Sequence, residues 1–352
     1  VAGGLYVPAT SHQPLFSEII MANFEETGPR HPVTESIRVD KVHPRARLGK
    51  NIRAILVVIV ALLLLFPVFV MLITAFKSRS DVVAIPPKLF FEPTLEGFVF
   101  LFTERSQLSG QALEEAKANA DQLGIFGRVA LQNGQNITGP SDFAVRLRNS
   151  MIIAFGATIA SVTLGLFAAY AFSRFRIPGS GDLLFFILSG RMLPAVVVTI
   201  PIFLMYRQLG LHDTHAGMIL IYTVFNLSLT VWLLKGFIDE IPREYEEAAM
   251  VDGYSRFQAF YKIVVPQAAT GIAATTVFSL IFVWNEYAFA LMLTSQNART
   301  APPTIATMLG RGGIEWSAIA AGTLVFLIPV LIIIFALRKH LLRGVTFGAI
   351  RQ

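Results

Sequence analysis

An all-α protein crossing a bilayer six times is the fold class this sequence predicts, and three observations carry it. Of 352 residues, 54% are hydrophobic and only 15% charged, whereas soluble domains hold about 25% charged residues. The 29 basic and 23 acidic residues crowd into the first 53 positions, the stretch 77–148 and a few short connectors. Between them lie six long apolar runs, at 54–76, 150–172, 183–206, 216–234, 271–293 and 318–337. Each approaches the roughly 20 residues that a helix rising about 1.5 Å per residue needs to cross a hydrocarbon core about 30 Å thick. A soluble globule, a disordered chain and a collagen or coiled-coil fibre are excluded.

The third observation is the placement of positive charge. With both chain ends on the cytoplasmic side, the inner connectors hold Arg174, Arg176, Lys235, Arg243, Arg256 and Lys262, and the tail adds Arg338, Lys339 and Arg343. Arg45, Arg47, Lys50 and Arg53 precede the first run, while the short outer connectors hold only Arg207, Arg299 and Arg311. Cytoplasmic loops of helical membrane proteins carry such an excess of Lys and Arg. The net charge of +6 therefore reads as topology and not as a nucleic-acid surface. The absence of cysteine excludes disulfides, thiolate metal sites and a cysteine nucleophile.

In chain order, residues 1–53 form a polar cytoplasmic extension with no early apolar stretch of the signal-peptide kind. The first span is 54–76. The loop 77–149, placed outside, is long enough to carry structure of its own. Leu113–Leu123 is rich in helix formers and 132–140 (QNGQNITGP) in turn formers. A core at 150–337 holds the other five spans, and a cytoplasmic tail runs over 338–352. The second span carries small residues at four-residue spacing, Gly156 and Ala160, then Ser161, Gly165 and Ala169. Such residues let helices approach closely in lipid, within a bundle or between subunits.

The segment 235–266, KGFIDEIPREYEEAAMVDGYSRFQAFYKIVVP, faces the cytoplasm in this topology. Pro242 suits the first position of a helix, and Glu244, Glu246 and Glu247 suit its positive N-terminal end. Tyr245, Ala248 and Ala249 share a face, and Gly253 suits the left-handed residue that closes a helix. A second short helix would place Phe257, Phe260, Tyr261 and Val264 together. Two amphipathic helices joined at a glycine fit a docking element or a pair lying on the lipid surface. The three acids favour a protein partner, because the inner leaflet is itself anionic.

Glu247-Ala248-Ala249, Gly253 four residues on, then Ile263 and Pro266 resemble the EAA loop of ABC-importer permeases. IPREYEEAAMVDG is similar to that loop in the carbohydrate-uptake, maltose-type subfamily. RMLP at 191–194, IPIFLMYRQLGL at 200–211, WNEY at 284–287 and RGVTFGAI at 343–350 look like the same subfamily. Residues 52–76 and 148–350 are covered. Val265 stands where the motif has Leu, a change that keeps the apolar contact.

The resemblance implies a type I importer permease fold in the inner membrane of a bacterium. It further implies a second permease subunit, two cytoplasmic ATPase subunits, an extracytoplasmic solute-binding protein and a carbohydrate substrate. Glu247 would be the charged contact with the ATPase, with Ala248 and Ala249 permitting close approach, Asp252 and Gly253 forming the bend, and Ile263 and Pro266 closing the motif. No GxxxxGK[ST] sequence occurs, so ATP and Mg belong to the partner and no cofactor to this chain. Apart from the resemblance, which leaves most of it uncovered, the length and mixed helical and turn composition of loop 77–149 lead to the expectation that it enlarges the outer docking surface for the binding protein.

Ionisable and polar residues at membrane depth are candidates for function because they are costly there. Trp284, Asn285, Glu286 and Tyr287 suit a sugar path, with aromatic faces for C–H surfaces and an amide and carboxylate for hydroxyls. Hydrogen bonds between helices explain Asn285 and Glu286 equally well. Arg191 and Asn226 divide in the same way between substrate contact and pairing or snorkelling. His212 and His215, with Asp213 between them, are too few for a metal site, and no catalytic constellation is visible. A stand-alone secondary transporter is disfavoured by the cytoplasmic loop and by the lack of internal repeats.

Overall fold

The computed structural model describes residues 44–192, 194–310 and 313–348. Residues 1–43 of the N-terminal extension and the last residues of the tail lie outside that description. The chain divides within its first long helix into compact units ending at Leu63 and beginning at Leu64. The first unit contributes the N-terminal part of α1 (Pro44–Ala75), a helix with Pro67 inside it.

After the rest of α1, the second unit builds the segment from 77 onward with structure of its own, and the turn-forming stretch 132–140 is strand from Gln135 to Pro140, because its residues pair with a second strand. Helices α2 (Arg79–Val82) and α3 (Glu96–Phe102) lead into strand β1 (Thr103–Gln107). Helices α4 (Gln111–Ala118) and α5 (Ile125–Gln132) then return the chain to strand β2 (Gln135–Pro140). The strands pair antiparallel, Thr103 opposite Pro140 and Gln107 opposite Gln135, with an irregularity between Glu104 and Arg105. The class is all-α apart from this hairpin and a second minimal pair, β3 (Leu309–Gly310) with β4 (Gly313–Ile314).

Four helices among the described residues are long and apolar enough to span a membrane, and six spans result if each of two bent pairs counts as one. After α1 comes α6 (Phe143–Arg174), 32 residues long, which begins seven residues before the apolar run that announced it. The third run is broken: α7 (Ser180–Ser189) continues as a 3₁₀ turn to Met192, and this stretch meets α8 (Ala195–Gln208) at 92°. Pro194 stands at the N-cap of α8 and has no N–H to carry a helix through. Helix α9 (His215–Asp239) exceeds its run at both ends, and Thr214 caps it through Gly217 N–H at 3.0 Å. Helices α10 (Glu244–Val251) and α11 (Arg256–Gln267) form the 235–266 loop, and α11 meets α12 (Ala269–Trp284) at 74°.

The fifth run is also not continuous. Helix α12 ends at Trp284, and the chain restarts as α13 (Ala288–Leu293); the Glu286 carboxylate, one residue ahead of the N-cap Tyr287, accepts from the otherwise unpaired Phe289 and Ala290 N–H at 3.0 and 3.2 Å. Helices α14 (Ala301–Ala306) and α15 (Trp316–Gly348), with Pro329 inside it, complete the chain.

The bundle core is α6, α9, α12 and α15. A Cβ at Gly156 would meet Ile219 at 2.8 Å, and one at Gly165 would meet Thr230 at 2.5 Å, so α6 and α9 touch through these glycines. Ser161 lies 3.1 Å from Ser279 of α12, and Ala169 is fully buried. The small-residue stripe therefore serves packing within this chain. A smaller cluster of Ala169, Leu234, Ile238, Phe260, Val264 and Ala268 seats the 235–266 loop on the bundle.

Candidate coupling loop and intramembrane cavity

Helix α10 is fastened by an acid at position 246. Glu246 is 5% exposed, and its carboxylate accepts from Arg174 Nε and, at 2.9 Å, from Tyr170 Oη. Arg174 also donates to Ser173 Oγ at 2.8 Å and to the Ile241 carbonyl at 2.9 Å. Ser173 Oγ donates to Asp239 at 2.6 Å, and Arg243 donates to the Ser173 carbonyl at 2.7 Å. A buried ion pair is tolerable when its remaining lone pairs and protons are satisfied in this way.

With Glu246 turned inward, Glu247 and Ala248 are exposed and Ala249 is buried. The face actually buried is Glu246 with Ala249, and Tyr245, expected beside the alanines, is 53% exposed. The reason is electrostatic: Arg174 and Tyr170 capture the acid one position on, and this sets the helix rotation. Pro242 also stands outside α10, ahead of Arg243 at its N-cap. Asp252 is the C-cap of α10, and Gly253 has φ +91°, a left-handed geometry that costs other residues energy. Ser255 then starts α11 with a capping box, Gln258 N–H bonding Ser255 Oγ at 3.3 Å and Gln258 Oε1 accepting from Ser255 N–H at 2.8 Å.

Within α11, residues Phe260–Val264 form a π turn. The wider turn shifts the side-chain spacing, so Phe260 and Val264 are buried while Phe257 and Tyr261 stand about two-thirds exposed. The four residues expected on one face therefore divide into an inner pair and an outer pair. Phe260 packs on Tyr170 with ring centroids 4.6 Å apart. Ile263 is half-buried and Pro266 exposed.

A second feature joins the two broken spans. Arg191, in the break between α7 and α8, lines a cavity of about 280 Å³ with Tyr222, Asn226, Phe282, Glu286 and Phe289. The Arg191 guanidinium lies 4.2 Å from the Phe282 ring centroid and 3.4 Å from Asn226 Oδ1 and the Phe225 carbonyl. Glu286 accepts from Tyr222 Oη at 2.6 Å, and Asn226 donates to the Ser279 carbonyl at 3.4 Å.

Three of the six residues expected on a path thus meet. The others do not. Trp284 is 3% exposed, stacks on Phe326 at 4.6 Å and donates to the Phe326 carbonyl at 3.2 Å; it is a core residue. Asn285 is exposed and bonds the Ile281 carbonyl at 2.8 Å, and Tyr287 is the N-cap of α13. A continuous helix over 271–293 would carry all four on one rod, and the break after Trp284 separates them. His215 Nε2 lies 2.9 Å from Asn149 Oδ1, and no metal-binding group of three side chains occurs among the described residues.

Residues 161–347, which contain both the loop and the cavity, match the family model described as binding-protein-dependent transport system inner membrane component. The chain belongs to this family. The trehalose transport system permease protein of Mycobacterium tuberculosis is 37% identical over 230 residues, covering 64% of this chain and 84% of that one. The trehalose/maltose transport system permease protein of Thermococcus litoralis is 32% identical over 211 residues, covering 59% and 76%. The fold matches a crystal structure of a bacterial ABC transporter involved in alginate import, with a TM-score of 0.58 and 20% identity, over 85% of this chain and 98% of that one. This importer permease is accordingly a transport subunit, and ATP hydrolysis belongs to a separate ATPase.

Tyr170, Arg174 and Glu246 were visible in the sequence only as one aromatic residue and two charges assigned to topology and to helix-end preference. Tyr222, Phe282 and Phe289 gave no signal apart from their aromatic character.

Proposed function

We propose that this permease imports a carbohydrate or polyol, with both chain ends cytoplasmic and the 235–266 loop docked on the ATPase. The observation that carries the coupling is the division of labour at 246 and 247. Glu246 locks α10 to the bundle, and its neighbour Glu247 is left exposed for a basic residue of the partner. The 37% identity to a trehalose permease supports the substrate class. Arg191, Asn226 and Glu286 are this subunit's contribution to the path: opposed charges and an amide for hydroxyls, with Phe282 and Phe289 for the apolar faces of a sugar ring. A second permease, two ATPase subunits using Mg and ATP, and a solute-binding protein complete the assembly.

The test is uptake of labelled trehalose, maltose and a polyol panel into liposomes holding the full complex and its binding protein. ATP-dependent uptake of one of them is expected, and Glu247→Lys is expected to abolish it with the complex still inserted. Uptake that survives removal of the ATPase, or a complex that moves only non-carbohydrate solutes, overturns the reading.

A further inference from the structure

Helix α6 is tied down by side chains at both of its ends, and to two different loops. At the end carrying Tyr170, Ser173 and Arg174 it holds α10 through the buried Glu246 carboxylate. At the opposite end it holds the backbone of the segment 294–301. Arg146 donates to the Gln296 carbonyl. Asn149 Nδ2 donates to the carbonyls of Asn297 at 2.8 Å and Arg299 at 3.0 Å. Ser150 Oγ accepts from Ala301 N–H at 2.9 Å. Asn149 is fully buried and Arg146 and Ser150 nearly so.

The loop they grip is itself stiff, because the Asp213 carboxylate accepts from the N–H groups of Ser295, Gln296, Asn297 and Ala298 at 2.9–3.1 Å. Asn149 and Tyr170 stand about 30 Å apart by helix rise, which is the thickness of the hydrocarbon core. Between them α6 contains no proline, and its glycines are packed against α9 by contacts too close for a Cβ. Nothing along its length offers a hinge.

We propose that α6 is a strut that carries movement of the ATPase-docked helix α10 across the membrane to the outer loop 294–301. Arg174 and Glu246 form its inner joint, and Arg146 and Asn149 its outer joint. All four are positioning residues, acting through the loops they hold: they fix how far one loop moves when the other does. The proposal rests on the importer reading above, which sets α10 inside and 294–301 outside. A contiguous packed element with a joint at each end is the physical requirement for such coupling.

The absence of cysteine from this chain makes the test direct. Gln296→Cys, whose side chain is exposed, is placed in the assembled complex with partner subunits freed of cysteine. Its labelling by a membrane-impermeant maleimide is timed with and without ADP–vanadate trapping. Trapping is expected to change the labelling rate about tenfold, in the range of ordinary allosteric couplings. Glu246→Gln on one side, or Asn149→Ala on the other, is expected to reduce that change to less than about twofold while the ATPase still copurifies. Arg174→Ala, which removes the same joint from the α6 side, is expected to reduce it likewise.

A change that persists in the single variants overturns the strut, as does a parent complex whose ATPase is trapped without altering labelling. If Glu246→Gln fails to assemble, Asn149→Ala, remote from the ATPase, decides the matter alone. A chain that binds no ATPase at all overturns the importer reading instead, and the strut with it.

Discussion

At positions 246 and 247 two chemically identical side chains do opposite things, and their surroundings decide which. Glu246 is captured by Arg174 and Tyr170; Glu247 points away. A run of acids shows charge without showing which member turns inward, so the sequence alone could not separate them. Trp284 gives the converse case, since an aromatic at membrane depth suits a sugar path or a core equally. Its stacking on Phe326 and its bond to a helix carbonyl make it core. Trp284→Ala is therefore expected to cost about 3–5 kcal/mol of stability, read as lost yield and lowered Tm in detergent, with solute selectivity unchanged in what survives. Arg191→Ala, by contrast, is expected to raise KM for uptake about tenfold or more at unchanged assembly, as loss of a hydrogen-bonding and stacking cation does.

At the scale of elements, tight contacts and caps carry the predictions. Gly165 abuts Thr230 closely enough that a Cβ would lie 2.5 Å away. Gly165→Val is expected to force α6 from α9 at about 1–3 kcal/mol, lowering Tm. Gly253, at φ +91°, joins α10 to α11, and Gly253→Pro is expected to abolish uptake with membrane insertion intact.

Asp213 joins the segment before α9 to the loop after α13. Burial pushes its pKa up, but hydrogen bonds from the backbone N–H groups of Asn297, Ser295, Ala298 and Gln296 outweigh this and hold it far below the ordinary carboxylate value of 3.8. A depressed folded pKa means its stabilisation is present above the unfolded value and lost only as pH falls through the folded one. Its contribution is therefore constant from pH 5 to 8. Asp213→Asn is expected to cost about 1–2 kcal/mol equally across that window, measured as Tm against pH, and a pH-dependent difference would contradict the assignment.

For the whole molecule, the proposed orientation rests on the basic residues of the connectors. A fluorescent protein fused after Gln352 is expected to fold and fluoresce in cells, and alkaline phosphatase fused there to stay inactive; the opposite pair would invert the topology. The apolar runs and their charge asymmetry were legible because both are local: hydrocarbon thickness sets run length, and the inner side collects Lys and Arg. The Glu247-Ala248-Ala249 to Gly253 spacing was legible for the same reason, as a short segment whose chemistry is complete in itself. What the sequence determined by itself is therefore the membrane class, the apolar runs with their charge asymmetry, and the family motif at 247–253. The breaks at Pro194 and Glu286, the meeting of Arg191, Asn226 and Glu286 in one cavity, and the capture of Glu246 were decided only by tertiary structure. Each depends on side chains from different helices arriving at one point. Hydropathy records how far a segment dissolves in lipid, not which neighbour its polar atoms will find.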